Sequence, residues 1–385
     1  MRPTHRRIGA GAVLIAIGLF ASCVDIETNS LVGISPPSGD NTSILNFQVA
    51  FAGSMHTCAL ANGGRALCWG SPLGDGTSSQ SATPVRVEGP QTFRELDLSS
   101  FTCGITTNDH PWCWGENLGG TIGDGTTADR PFPTEVLTNR TFVEITAGAL
   151  HACGLTPEGE LHCWGSNKWD QLAGHPDTLS LVPVAVASAL RFETVDAGGL
   201  RTCGIEVSGD TYCWGDGIGP DPVRVEGSVA FVELSVGGAH ACGLTVEGEA
   251  FCFGRNSEGQ LGDGTFQDTP VTGPPVAVLT GVRFTGISAG ENHTCAVTAA
   301  GEAWCWGRDD HGQLGDGDPP GGFDAIRKPA PTPVTRQNSF VRFGSITAGR
   351  FNSCATTPDG RGLCWGRGTG NQSRPTASIP VEIGG

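Results

Sequence analysis

The sequence predicts an all-β chain folded as a seven-bladed β-propeller with four-stranded blades. Fourteen of the 15 cysteines fall into seven pairs of constant spacing, and four short strand-like segments recur around each pair at intervals of 39 to 59 residues. No unit carries a helical period, which excludes helical and leucine-rich solenoids. The 59 Gly and 25 Pro signal many turns, and a charged fraction of 16% is too low for an expanded disordered chain.

The first segment of each unit opens with a Phe, at Phe47, Phe93, Phe142, Phe192, Phe231, Phe284 and Phe343, eleven residues before the first Cys; at Phe93 the interval is ten, so one residue is missing there. The second and third segments flank the cysteine pair. The pairs are Cys58 and Cys68, Cys103 and Cys113, Cys153 and Cys163, Cys203 and Cys213, Cys242 and Cys252, Cys295 and Cys305, and Cys354 and Cys364, each separated by ten. Six residues after the first Cys stands Gly64, Gly159, Gly209, Gly248, Gly301 or Gly360, with Asp109 in the second unit. That is where a three-residue hairpin loop enters the left-handed region, open to Gly and tolerated by Asp. Such a loop sets residue n opposite n+10, so the two cysteines face each other about 4.5 Å apart in a non-hydrogen-bonded pair, within disulfide reach. Zinc is the poorer reading, because its cysteines are typically two to four residues apart.

The fourth segment is Pro-led: Pro84-Val, Pro133-Thr, Pro183-Val, Pro222-Val, Pro275-Val, Pro333-Val and Pro380-Val. Proline suits a strand start or an edge. Because the repeats begin on a Phe strand and end on a Pro-Val strand, the C-terminal strand is expected to complete the first blade as a clasp.

Residues 1–22 have the order of a secretion signal: Arg2, Arg6 and Arg7, an apolar run from Ile8 to Ala21, then small residues before Cys23. Leu19-Phe20-Ala21-Ser22-Cys23 resembles a lipoprotein cleavage box, which makes Cys23 a lipid-attachment site and 23–46 a tether, followed by the propeller over 47–385. The alternative is an ordinary signal peptide. This places the chain in the bacterial cell envelope, outside the cytoplasm, where paired cysteines oxidise. Loss of the three arginines takes the formal charge from −16 to −19. With no Lys/Arg cluster, nucleic-acid binding is excluded.

Repeats of Ala-Gly-x-x-His-x-Cys-Gly-Leu, Cys-Trp-Gly and Gln-Leu-Gly-Asp-Gly-Thr resemble the regulator of chromosome condensation repeat family, most clearly over Gly237 to Thr265 and Gly290 to Gly317. The resemblance implies a seven-bladed binding platform; members include a nucleotide-exchange factor for a nuclear GTPase, a plant ultraviolet photoreceptor and secreted bacterial inhibitors of β-lactamase. Paired cysteines point to the exported members, so exchange activity is not carried over. Gln171-Leu-Ala-Gly174 replaces the usual turn and the stretch before Pro222 lacks Gly-Asp-Gly, so local irregularity is expected at both.

The recurrent His56, His151, His240 and His293 give way to Phe101, Arg201 and Asn352 in other units, which fits hydrogen bonding between blades rather than catalysis. Trp69, Trp114, Trp164, Trp214, Trp306 and Trp365, with Phe253 in the seventh case, are expected to fill the wedge between blades. Asp75, Asp124, Asp263 and Asp316 in Gly-Asp-Gly read as turns bonded to their own backbone rather than calcium ligands. No nucleophile motif, phosphate loop or zinc-protease motif occurs. The reading is therefore a non-enzymatic, monomeric binding scaffold without cofactor or metal, holding a protein or a cell-surface glycan. The alternatives are a propeller hydrolase and a structural part of an envelope assembly. Two loops break the symmetry and supply the candidate partner-binding residues: Trp169, and Arg308, Asp309, Asp310 and His311.

Overall fold

The structure is a computed structural model describing residues 46–319, 327–335 and 341–384. The signal, the Cys23 attachment site and all but the last residue of the tether lie outside the described residues. Seven four-stranded antiparallel sheets, each built from strands consecutive in sequence, form the ring. In the first blade the strands are Phe47–Ala52 (innermost), His56–Ala61, Arg65–Gly70 and Ser81–Arg86 (outermost).

Every cysteine pair is directly opposed in its hairpin, with Cα atoms 4.1 Å apart and a disulfide formed in each blade. The hairpin turn works as the spacing requires: Gly64 has φ 77° and Asp109, its counterpart in the second blade, φ 64°. The six Trp and Phe253 are buried to 1% exposure or less. Each lies on the strand face opposite its disulfide neighbour and packs against the preceding blade, as Trp164 does with Ile122 and Val136 of the second blade, while meeting its own blade's Phe142 at 6.3 Å between ring centroids.

Two expectations about the outer strands are corrected. The C-terminal strand Thr376–Glu382 does not complete the first blade; Val381 pairs with Cys364 and Glu382 with Leu363, in its own blade. The first blade has the same register with its own chain, Cys68 opposite Val85. A third strand's open edge is met first by the chain that has just left it, so pairing stays local. The ring closes instead by lateral packing of two complete blades: Phe47 N–H donates to Gly360 O at 2.7 Å, Ala52 N–H to Thr347 Oγ1 at 3.2 Å and Trp69 Nε1–H to Gly368 O at 3.0 Å. In the sixth blade Thr332 pairs with Cys305, so Pro331 rather than Pro333 is the counterpart of Pro84, and strand Arg327–Pro333 ends where one was expected to begin. The prolines sit within or beside outermost strands, where a missing N–H removes an edge donor rather than a ladder bond.

The histidines join blades. His56 Nε2 lies 2.6 Å from Thr102 Oγ1, His151 Nε2 2.8 Å from Thr202 Oγ1, His240 Nε2 2.8 Å from Thr294 Oγ1 and His293 Nε2 2.8 Å from Ser353 Oγ. Asn352 Nδ2–H does the same to Thr57 Oγ1 at 2.8 Å across the closing seam. Burial pushes these imidazoles down, to about 3 for His56, His151 and His240 and about 4 for His293, so they are neutral. The preceding Ala-Gly makes room for the ring: a Cβ on Gly148 would stand 2.3 Å from His151 Cε1.

Candidate functional site

The loops joining third to fourth strands all open on one face of the ring, and four of them share one frame. Asn117, Asn167, Asn256 and Asp309 each accept a hydrogen bond through Oδ1 from the backbone N–H five residues on, at Ile122, Leu172, Leu261 and Leu314, over 2.8 to 2.9 Å. Those four apolar residues are fully buried and plug the loop. Gln171, Gln260 and Gln313 accept through Oε1 from the tip N–H of Trp169, Glu258 and His311 at 2.9, 2.9 and 2.8 Å. The loop is tied to the next blade by Trp164 Nε1–H donating to Thr121 O and Trp214 Nε1–H to Gln171 O, at 2.8 and 2.9 Å. Below the tip, Asp75, Asp124, Asp263 and Asp316 accept the N–H two residues on, at 2.9 to 3.0 Å, as the turn reading requires. Among the described residues, no His, Cys, Asp or Glu group is arranged to hold a metal. The irregular third loop carries Asp170 and Ala173 at positive φ, 63° and 42°, where its counterparts have Gly.

On this constant frame the tips differ: Leu118-Gly119, Lys168-Trp169, Ser257-Glu258 and Asp310-His311. Trp169 is 49% exposed and Leu118 70%, each on a backbone fixed by buried bonds. In the sixth blade Arg308 pairs with Asp310, which also takes His311 Nδ1 at 2.8 Å and Gln313 Nε2–H at 3.1 Å. Burial alone would raise the Asp310 carboxyl, but these hydrogen bonds hold it at about 2. His311 packs on Phe351 at 4.9 Å, and Arg350 lies over the same ring while pairing with Glu291 at 2.7 Å.

The structure thus displays Trp169, Arg308, Asp310 and His311 on one face but does not bring the two groups together, since they sit three blades apart. Asp309 is corrected: it is 3% exposed and belongs to the loop frame, not the surface. Burial pushes its carboxyl up to about 7. A protonated Asp309 keeps the acceptor of the Asn it replaces and supplies one of that amide's two donors.

The sequence reading missed the axial channel, of about 3120 Å³, lined by the innermost strands. Four residues after the leading Phe, a polar side chain accepts the next blade's backbone N–H. Ala147 N–H donates to Asp97 at 2.8 Å, Ala197 N–H to Thr146 at 2.8 Å, Val236 N–H to Asp196 at 2.7 Å, Ala289 N–H to Ser235 at 3.0 Å and Ala348 N–H to Ser288 at 2.9 Å. The first blade has Phe51 there. The signal was legible as polar residues at every second position, as in Glu144 and Thr146.

Comparison with known proteins agrees with this architecture. A family model described as the regulator of chromosome condensation (RCC1) repeat matches residues 247–297 and 300–356, and a second of the same description matches 142–168, 231–260 and 284–313. The chain is similar to the ultraviolet-B receptor UVR8 of Arabidopsis thaliana, 36% identical over 112 residues, covering 29% of this chain and 23% of the receptor. It is similar to the mitochondrial RCC1 domain-containing protein RUG3 of the same plant, 33% identical over 136 residues, covering 32% and 29%. The matched stretch spans less than a third of either relative. Among solved structures, yeast RCC1 (Prp20), bound there to Kap60, superposes with a TM-score of 0.73 at 18% identity over 93% of this chain and 91% of that one, a likeness of fold. Residues 142–168 and 231–356 of this chain thus match regulator of chromosome condensation repeats.

Proposed function

We propose that this ring is a binding scaffold, held at the bacterial envelope by a lipid on Cys23, that grips a protein partner with the loop tips centred on Trp169. The observation that carries this reading is the contrast between frame and tip. Four loops keep the same Asn or Asp clamp, buried aliphatic plug and tie to the next blade, while the exposed tip residues are apolar, aromatic, acidic or imidazole. A rigid frame with variable tips costs little ordering entropy on binding, and an exposed Trp is a typical interface anchor. Relatives with this repeat, such as yeast RCC1 in its complex with Kap60, support a protein partner. A glycan is the second reading, favoured by the exposed Trp169 indole, whose apolar face suits stacking on a sugar ring.

The test is a photo-crosslinking amino acid at position 169 in the native membrane, with the same substitution at Val246, exposed on a hairpin loop of the opposite face, as control. A discrete protein adduct at 169 that is absent at 246 and lost with Leu118→Ser supports the reading. Equal labelling at both positions, or binding of purified wall glycan that Trp169→Ala removes, discards the protein reading. Intact mass of the membrane-extracted chain checks acylation of Cys23.

A further inference from the structure

Thr146, on the innermost strand of the third blade, stands between two carboxylates from the neighbouring blades. Its Oγ1 is 2.9 Å from Asp97 Oδ2 of the second blade and 3.0 Å from Asp196 Oδ1 of the fourth, and it accepts the Ala197 N–H at 2.8 Å. The remaining carboxylate oxygens are also committed. Asp97 Oδ1 accepts Leu98 N–H at 2.9 Å, Asp97 Oδ2 accepts Ala147 N–H at 2.8 Å and Asp196 Oδ2 accepts Val236 N–H at 2.7 Å.

The hydrogen count at Thr146 is short by one. A hydroxyl carries one hydrogen, and here it faces two acceptors while its own lone pair takes the Ala197 N–H. If Thr146 donates to one carboxylate, the contact with the other is between two oxygens unless a carboxyl proton fills it. We infer that Asp97, Thr146 and Asp196 share one bound proton in the folded ring, a titratable bridge across the second, third and fourth blades. The proton belongs to the pair of carboxyls.

The surroundings favour retention of that proton. The charged and titratable groups on the inner strands packed around it are Arg94, Glu95, Glu144, Glu193 and Glu233, and on the strands behind them His151, Arg201, Glu206 and His240. The two cations are engaged elsewhere: Arg94 with Asp109, Glu95 and the Phe142 and Val143 carbonyls, Arg201 with Asp216. Burial first and the Asp196 charge second push the Asp97 carboxyl up to about 7. With the folded value above the unfolded one, the bridge stabilises the ring at low pH and is lost as pH rises through that value.

The geometry separates two near-isosteric variants. In Asp196→Asn the amide oxygen keeps the Val236 N–H and the amide nitrogen donates to Thr146, so every contact survives with no titrating proton. In Asp97→Asn the amide nitrogen must face either Ala147 N–H or Leu98 N–H, donor against donor, so that variant is weakened at every pH. The experiment is carbon-13 carboxyl titration of the disulfide-intact protein from pH 4 to 9, with urea unfolding of parent and both variants across the same range. The parent is expected to show Asp97 titrating above pH 6. The Asp97 midpoint should fall by at least one unit in Asp196→Asn. The parent's folding constant should drop relative to Asp196→Asn by up to tenfold per pH unit between the variant's Asp97 midpoint and the parent's, and level off above the parent's. Asp97 titrating below pH 5 in the parent, or a parent-to-variant ratio constant with pH, overturns the shared proton.

Discussion

Replacing His151 by Asn should flatten the acid sensitivity of the fold. Asn is the residue the seventh blade uses at this place, where Asn352 bonds to Thr57 at 2.8 Å. In the unfolded chain a histidine titrates near 6.5 and takes up most of a proton between pH 7 and 5. In the folded ring His151, held at about 3 by burial, takes up none in that window. The unfolded state therefore binds more protons, and stability falls with falling pH; integrating over the two units gives about 2 kcal/mol for one ring. Four such rings give about 8 kcal/mol. Asp97 and Asp309, both pushed up to about 7, gain protons in the folded state over the same range and return about 2 kcal/mol each. The parent should thus lose about 3 to 4 kcal/mol between pH 7 and 5 by this linkage. The assay is urea unfolding of the oxidised protein at both pH values for parent and His151→Asn. The packing cost of the smaller side chain is common to both pH values and cancels, so the variant should lose about 2 kcal/mol less than the parent. Equal losses in the two proteins would refute the claim that His151 stays neutral.

Removing one staple as Cys103→Ala with Cys113→Ala opens a loop of ten-residue separation and should cost about 3 kcal/mol. Scanning calorimetry should show Tm lower by about 4 °C for a ring of this size; an unchanged Tm would mean the disulfide does not constrain the unfolded chain. Asp309→Asn supplies at every pH the donor that the carboxyl offers only when protonated. Because the folded value is raised, the parent loses stability as pH rises through about 7, so the variant should gain at least about 1 kcal/mol at pH 8.5 and nothing near pH 4. Thermal melts at the two pH values decide it, an equal effect at both counting against the protonated frame.

The cysteine spacing and the turn Gly sufficed to place three strands of every blade, because a hairpin is local and its register is set by two observable positions. The outer strand was harder. Proline marks it without saying which hairpin it joins, and that ambiguity produced the expected clasp and the choice of Pro333 over Pro331. Two regularities were present in the sequence and went unread, since they relate residues of neighbouring units rather than equivalent ones. Where Phe101 and Arg201 replace the seam histidine, the next blade offers Ala152 and Ala241 instead of a hydroxyl. Where the fourth blade's loop shrinks around Asp216, the fifth has Phe253 in place of the Trp. Asp309 was misplaced because charge reads as surface until burial is known. The shared contact at Thr146 depends on a ring geometry that brings together residues about fifty positions apart.

The closing seam between the first and seventh blades is of the same kind as the other six, since no strand is lent across it. The molecule therefore has no mechanical starting point, and moving the termini to any other connection between blades leaves every sheet whole. The seams themselves, however, are addressed: each seam histidine meets a hydroxyl on its neighbour, and the loops of the second, third and fifth blades each offer a carbonyl to the neighbour's indole. Rotating the order of the blades preserves all these matches, whereas exchanging the fourth with the sixth breaks them.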